Sequence, residues 1–215
     1  VEVEWFIHLC DRRALPGLEP LDEQQRRGLR GIVEGFGAEG IAELAEIEAV
    51  TVHDVKAVEY FIGRRLPDLG LRHLTPLVHF ACTSEDINNL AYAVGIRDAV
   101  EQVWAPAAQS LVEQIARMAQ DAAQAPMLSR THGQPATPTT LGKELAVFAH
   151  RLGRQLERIR STAFLGKING ATGTYAAHVT AAPDADWQEI SRTFVEGLGL
   201  SWNPLTTQIE SHDWQ

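Results

Sequence analysis

The sequence has little cysteine, no long apolar run and no excess of positive charge, and each of these absences excludes a class of protein. Its two cysteines, Cys10 and Cys82, do not match a metal-ligand spacing, so we expect no metal site and a reducing, cytoplasmic setting. No run of about 18 apolar residues occurs, so no membrane span is expected. The formal charge of −9 argues against a nucleic-acid-binding protein, because such proteins usually carry a basic surface. No glycine motif of a nucleotide cofactor site occurs, and no cofactor is expected.

Apolar residues at helical spacing dominate what is present. From residue 139 to 164 they recur every three or four positions, which predicts one helix of roughly 25 residues. A second stripe follows the hydroxyl and acidic residues at 83–86, which are typical of a helix start, and Pro106 predicts a kink or short break in it. Strand alternation of comparable strength is absent. Because helices this long normally occur in bundles, the sequence predicts an all-α fold.

One polar segment, SRTHGQPATPTT at 129–140, fits neither a helix nor a strand pattern. Its two prolines and its glycine predict a stiff loop that leads directly into the long helix. Such a loop is a common place for a catalytic side chain, and it carries His132. From the residues alone, His132 is equally well interpreted as a surface histidine or as a catalytic or ligand-binding one.

Two other segments combine helix-start chemistry with possible ligand contacts. In TSEDINN at 83–89, Thr83 and Ser84 either cap a helix or, with its free N–H groups, bind a carboxylate or phosphate. Either Asp54 caps the next helix beside an exposed His53, or His53 contacts an anionic ligand or shares acid–base work.

Two glycine- or threonine-rich segments leave similar alternatives open. KINGATGTY at 167–175 is either a helix end with a turn or a backbone close to a ligand, with Lys167 and Asn169 as donors. TTQIESHD at 206–213 offers Gln208 as a further candidate.

Five segments, taken in order, resemble the fumarase/aspartase superfamily and, within it, the adenylosuccinate lyase family. They are TVHDVKAVEYF (51–61), HFACTSEDINNLAYA (79–93), LSRTHGQPATPTTLGKE (128–144), GKINGATGTYAAH (166–178) and WNPLTTQIESHDW (202–214). Their joint agreement is far more specific than any one of them. The resemblance implies a long-helix bundle of the fumarase/aspartase type, with an N-terminal helical domain at 1–72 and the first part of the central bundle domain at 73–215.

The resemblance also implies a reaction, β-elimination that releases fumarate. The substrates would be adenylosuccinate, which gives AMP, and the succinyl-carboxamide ribotide of purine biosynthesis. A base removes a proton beside a carboxylate, and an acid protonates the leaving nitrogen. Members of the family are homotetramers whose sites combine residues from three subunits.

Carried over residue by residue, the resemblance makes His132 the general acid and His53 a second catalytic histidine. It assigns Thr83 and Ser84 to the carboxylates of the succinyl group. The remaining implied substrate contacts are Asp54, Gln208, Lys167 and Asn169. Val52 departs from relatives that often carry a polar residue there.

The family's mobile loop of the GSSxMPxKxNP type, which supplies the serine base, is not found in this sequence. We therefore expect a partial chain that is inactive by itself. Three alternatives stay open: another fumarate-releasing lyase acting on argininosuccinate, aspartate or a cyclised muconate; a structural relative such as a lens crystallin; and a nucleotide-binding module without chemistry.

Overall fold

A computed structural model describes residues 1–214 and confirms the mostly helical fold class. The α-helices within that range are α1 (Glu2–Asp11), α2 (Glu23–Glu34), α3 (Ala38–Thr51), α4 (Asp54–Gly63), α5 (Ser84–Ala99), α6 (Ala105–Asp121), α7 (Leu141–Arg160), α8 (Ala176–Ala181) and α9 (Trp187–Gly197). Two 3-10 helices span Leu66–Leu69 and Arg72–Leu77, and a π-helix spans Val100–Trp104. The short strands are β1 (Pro126–Thr131), β2 (Gln134–Thr140), β3 (Leu165–Gly166) and β4 (Ser201–Trp202).

The chain forms two compact units. Unit 1 combines Val1–Val94 with the chain from Phe164 onward, and unit 2 is Gly95–Ala163. This division follows contacts within the chain, and the expected domain boundary after residue 72 stays a prediction.

The core of unit 1 is built around α1, whose aromatic residues face α9. The rings of Trp5 and Phe194 lie 5.0 Å apart and are tilted by 59°. Trp5 also donates a hydrogen bond from Nε1 to the carbonyl of Phe80 at 3.2 Å, so its polar atom is satisfied. Burial of each such side chain stabilises the fold by about 1.5–3 kcal/mol. This core supports the 167–175 loop, which carries Lys167 and Asn169, because Ile168 and Tyr175 belong to it.

Unit 2 is built on α6 and α7, which pack through small residues. A Cβ atom added to Gly142 would lie 2.6 Å from the Cα of Ala123, so only glycine permits this approach. Ala149 and Leu156 are buried on the same side of α7. The predicted helix at 139–164 is confirmed with shorter bounds, but several large side chains of its predicted stripe, among them Phe148, are exposed.

The prediction that residues 129–140 contain no regular element is wrong. Strands β1 and β2 form an antiparallel hairpin in which Thr131 pairs with Gln134. The two residues between them, His132 and Gly133, have φ angles of 49° and 77°, as a two-residue hairpin turn of type I′ requires. The prolines do not prevent pairing, because each strand of a two-stranded sheet has a free edge at which a missing N–H costs nothing.

The predicted interruption near Pro106 takes the form of the π-helix. The N–H of Ala105 donates to the carbonyl of Val100, five residues earlier, instead of the usual four. Proline has no N–H to continue the α-helical ladder, and the widened turn lies immediately before it. The helical path therefore continues through Val100–Trp104 into α6 without a gap.

Candidate functional site

Four of the predicted site residues meet at the first turn of α5 in unit 1. His53 precedes α4, Thr83 precedes α5, Ser84 begins α5, and Gln208 lies in the segment after β4. We call these four residues the α5-start cluster. The parallel pairing of β3 with β4 holds the 167–170 loop beside the segment that carries Gln208, with Gly166 opposite Trp202.

His53 contacts Ser84 in an orientation set by α4. Its Nδ1 accepts a hydrogen bond from the N–H of Lys56 at 3.2 Å and so caps the helix. A nitrogen that accepts carries no proton, so we assign the proton of the neutral ring to Nε2. Nε2 lies 3.3 Å from Oγ of Ser84, to which it donates. The Ser84 hydroxyl hydrogen is then free to point at a ligand.

Gln208 contacts Thr83 in the same way. Its Nε2 donates to Oγ1 of Thr83 at 2.9 Å, which leaves the hydroxyl hydrogen of Thr83 free to donate. Two hydroxyl donors therefore lie side by side at a helix N-terminus, whose first amide groups also lack partners within the helix. Such a group of donors, with the positive end of the helix dipole, suits a carboxylate.

Asp54 lies at the exposed edge of this cluster. Its side chain is largely open to solvent, and Oδ1 is 3.4 Å from Nδ1 of His53.

Lys167 is fully buried, and its partner is an acidic side chain of α5. Its Nζ lies 2.8 Å from Oδ1 of Asp86, and both side chains are 0% exposed. Asn89 fixes the backbone of Lys167 from both sides, since its Oδ1 accepts from the N–H and its Nδ2 donates to the carbonyl. These contacts account for Lys167 without a ligand, and its substrate contact stays a prediction.

Asn169 is also buried and contacts the segment that carries Gln208. Its Nδ2 donates to Oγ1 of Thr206 at 2.9 Å. Gly173, with a φ of 72°, lets the same loop approach this segment closely, because an added Cβ would lie 2.9 Å from the carbonyl oxygen of Thr207. Gly173 therefore serves packing within the chain.

His132 lies in unit 2, at the exposed tip of the β1–β2 hairpin. The hairpin presents it on a two-residue turn that leaves the imidazole open to solvent. Its assignment as general acid stays a prediction.

The sequence interpretation missed two buried residues of unit 1. In the sequence Asp86 carries only the signal of a helix-start acid, because its partners Lys167, Asn169 and Gly170 lie more than 80 positions away. His178 lies among aromatic rings, with Trp187 at 4.9 Å, and neither ring nitrogen has a hydrogen-bond partner among residues 1–214. Burial lowers the pKa of His178 from its ordinary 6.5 to about 4, so the ring is neutral near pH 7.

Neither a metal site nor a membrane span is found among the described residues. Within 1–214, His, Cys, Asp and Glu side chains form no group of three that could hold a metal ion. None of the helices in that range has both the length and the hydropathy to cross a bilayer.

Comparison with known proteins identifies relatives over the whole chain. A family model described as Lyase matches residues 2–214. The adenylosuccinate lyase of Haemophilus influenzae is 46% identical over 215 residues, which are 100% of this chain and 47% of that protein. The adenylosuccinate lyase of Escherichia coli is 44% identical over the same shares. The chain spans about half the length of the curated relatives it matches.

Solved structures share the fold. The 3-carboxy-cis,cis-muconate lactonizing enzyme of Pseudomonas putida superposes with a TM-score of 0.69 at 22% identity, over 94% of this chain and 44% of that one. A fumarate lyase from a Mesorhizobium species gives 0.66 at 24% identity, over 95% and 46%. At these identities the likeness concerns the fold alone.

Proposed function

The chain belongs to the lyase family, and we propose that the protein carrying it is an adenylosuccinate lyase. It would release fumarate by β-elimination from adenylosuccinate, giving AMP, and from the succinyl-carboxamide ribotide. The observation that carries this proposal is the α5-start cluster, where both hydroxyls accept hydrogen bonds and thereby keep their hydrogens for a ligand.

The succinyl group has two carboxylates, and the α5-start cluster offers hydroxyl donors to which a carboxylate can bind. We propose that Thr83 and Ser84 donate to a carboxylate at the start of α5, with Gln208 and His53 holding the hydroxyls in place. Fixing the carboxylate orients the neighbouring C–H bond for removal of its proton. Asp54, Lys167 and Asn169 belong to the proposed substrate-binding region through their contacts around this cluster.

We assign His132 the role of general acid. A base takes the proton of the C–H bond, and the electron pair of that bond forms the new double bond. The electron pair of the C–N bond leaves with the nitrogen, which takes a proton from the imidazolium. An exposed hairpin tip suits a residue that acts on a substrate held elsewhere, including one held by another subunit. We accordingly propose a homotetramer in the cytoplasm, with a purine nucleotide and fumarate as its small-molecule partners and with His53 as a second catalytic histidine.

The test is fumarate release from adenylosuccinate by the full-length protein, followed by ultraviolet absorbance. Replacing His132 by alanine should lower kcat by about 10²–10⁴-fold, the usual effect of a lost general acid. His150→Ala, which removes an exposed histidine of α7, serves as the control and should leave kcat unchanged. Unchanged turnover in His132→Ala would remove this residue from the mechanism, and absence of fumarate release by the unmodified protein would overturn the proposed activity.

A further inference from the structure

Asp86 is a buried carboxylate on which two separate segments of unit 1 converge. Its Oδ2 accepts from the N–H of Thr83 at 2.9 Å and of Gly170 at 3.1 Å. Its Oδ1 accepts from the N–H of Asn169 at 3.1 Å and lies 2.8 Å from Nζ of Lys167. With both oxygens occupied inside the protein, Asp86 has no part in binding a ligand directly.

These contacts connect Asp86 to Gln208 by two routes. The first runs through Thr83, whose N–H is held by Asp86 and whose hydroxyl accepts from Gln208. The second runs through Asn169, whose backbone is held by Asp86 and whose side chain donates to Thr206, two residues before Gln208. Movement of the Asp86 carboxylate would therefore shift both residues of the hydrogen bond between Thr83 and Gln208.

The charge of Asp86 needs compensation if the start of α5 is to hold an anion. A bare carboxylate in the first turn would repel a bound carboxylate, most strongly in a buried site of low dielectric. Lys167, fully buried at 2.8 Å, supplies the opposite charge. The pair adds no net charge, and the helix end with its hydroxyls keeps its attraction for an anion.

We propose that Asp86 is a positioning residue for carboxylate binding, and that Lys167 acts as its charge partner instead of contacting the substrate. The inference rests on the proposed function, because the carboxylate to be bound is that of the succinyl group or of fumarate. Asp86 acts through Thr83 and Gln208 and does not touch the substrate itself.

The first variant to test is Asp86→Asn in the full-length protein, assayed for fumarate release. Asparagine keeps the shape but replaces one acceptor oxygen by an NH₂ group, which cannot accept from the donors around it. We expect kcat/KM to fall by about tenfold or more, because the Thr83 hydroxyl loses its fixed position.

A double-mutant cycle with Gln208→Ala separates positioning from general damage. If Asp86 acts through the contact between Thr83 and Gln208, the double variant should lose no more than about threefold beyond the worse single variant. Additive losses would contradict the proposal, since they would mean that the two residues act independently.

Ser191→Ala is the matched control. Ser191 is buried and donates to the carbonyl of Ile168 at 2.8 Å, so it anchors the same loop without contacting Thr83. This variant should lose stability, measured as a lower Tm, and keep kcat/KM within about twofold. An equal loss of kcat/KM in Ser191→Ala and Asp86→Asn would reduce Asp86 to a structural role and overturn the inference.

If Asp86→Asn alone does not fold, because it leaves the charge of Lys167 unpaired, the variant Asp86→Asn/Lys167→Met replaces it in the cycle. Removing both buried charges is tolerated better than removing one, and the same loss and the same non-additivity are expected. An unmodified protein that releases no fumarate overturns the proposed function and this inference together. An active protein with additive losses overturns this inference alone.

Discussion

Val52 holds a backbone conformation that its side chain disfavours. Its φ of 50° and ψ of 35° are left-handed, and valine is branched at Cβ, where that conformation crowds the backbone most. The side chain is 87% exposed and offers no packing in return. The residue ends α3 immediately before His53, so the strain lies beside the α5-start cluster.

We expect Val52→Asn to stabilise the protein by about 1 kcal/mol, because asparagine tolerates the left-handed conformation. Thermal unfolding should show a rise in Tm of about 2–4 °C. Val50→Asn is the matched control, since Val50 is 85% exposed but lies within α3. An equal rise in Tm for both variants, or none for Val52→Asn, would contradict the strain argument.

His178 makes stability depend on pH. Its pKa is lowered by burial from 6.5 to about 4, so between these values the unfolded chain binds a proton that the folded chain does not. The contribution of neutral His178 to the free energy of unfolding is therefore fully present above pH 6.5, and it is lost as the pH is lowered towards 4.

Between pH 6.5 and 5 this one residue should reduce the free energy of unfolding by about 2 kcal/mol. Denaturant unfolding across that range measures the slope of the free energy of unfolding against pH. His178→Phe should reduce this slope by the amount that corresponds to uptake of about one proton. Phenylalanine suits the aromatic surroundings and does not titrate. Equal slopes in the two proteins would show that His178 is not the group responsible.

At the scale of elements, the sequence predicts what local chemistry determines. The start of α5 at Ser84 follows from the hydroxyl and acidic residues around it, and α7 follows from its apolar spacing. The β1–β2 hairpin was missed because its prolines and glycine also signal a loop. A hairpin differs from such a loop only in the pairing of its two strands, which no local pattern specifies.

The burial of Lys167 could not be predicted from the sequence either. The backbone of Lys167 is held by Asn89, 78 positions earlier, and a contact at that distance leaves no periodic signal. The residues of the α5-start cluster could be named from motifs, whereas their mutual contacts could not. The predicted stripe of α7 shows the same limit, because spacing identifies an apolar face but not what covers it.

At the scale of the whole molecule, the exposed apolar face of α7 is the most informative feature of unit 2. Large apolar side chains of α7 remain exposed within 1–214, namely Leu141, Phe148 and Leu152. The buried side of α7 is instead its small-residue side, against α6. A large exposed apolar stripe of this kind commonly marks a protein–protein contact, and it agrees with the proposed homotetramer.

We expect Phe148→Glu to break the proposed tetramer of the full-length protein into smaller species, because a buried unpaired carboxylate strongly disfavours a contact between subunits. Phe148 is 59% exposed in the chain by itself. His150→Glu is the control, since position 150 lies about 200° further around the helix axis. Light scattering after size-exclusion chromatography measures the mass of both variants.

A Phe148→Glu protein that stays tetrameric would place the subunit contact on another surface. Dissociation of both variants would mean that added charge on α7, and not the apolar stripe, controls the assembly. Because His132 is proposed to act on a substrate held by another subunit, dissociation by Phe148→Glu alone should also abolish fumarate release, although neither His132 nor the α5-start cluster is changed.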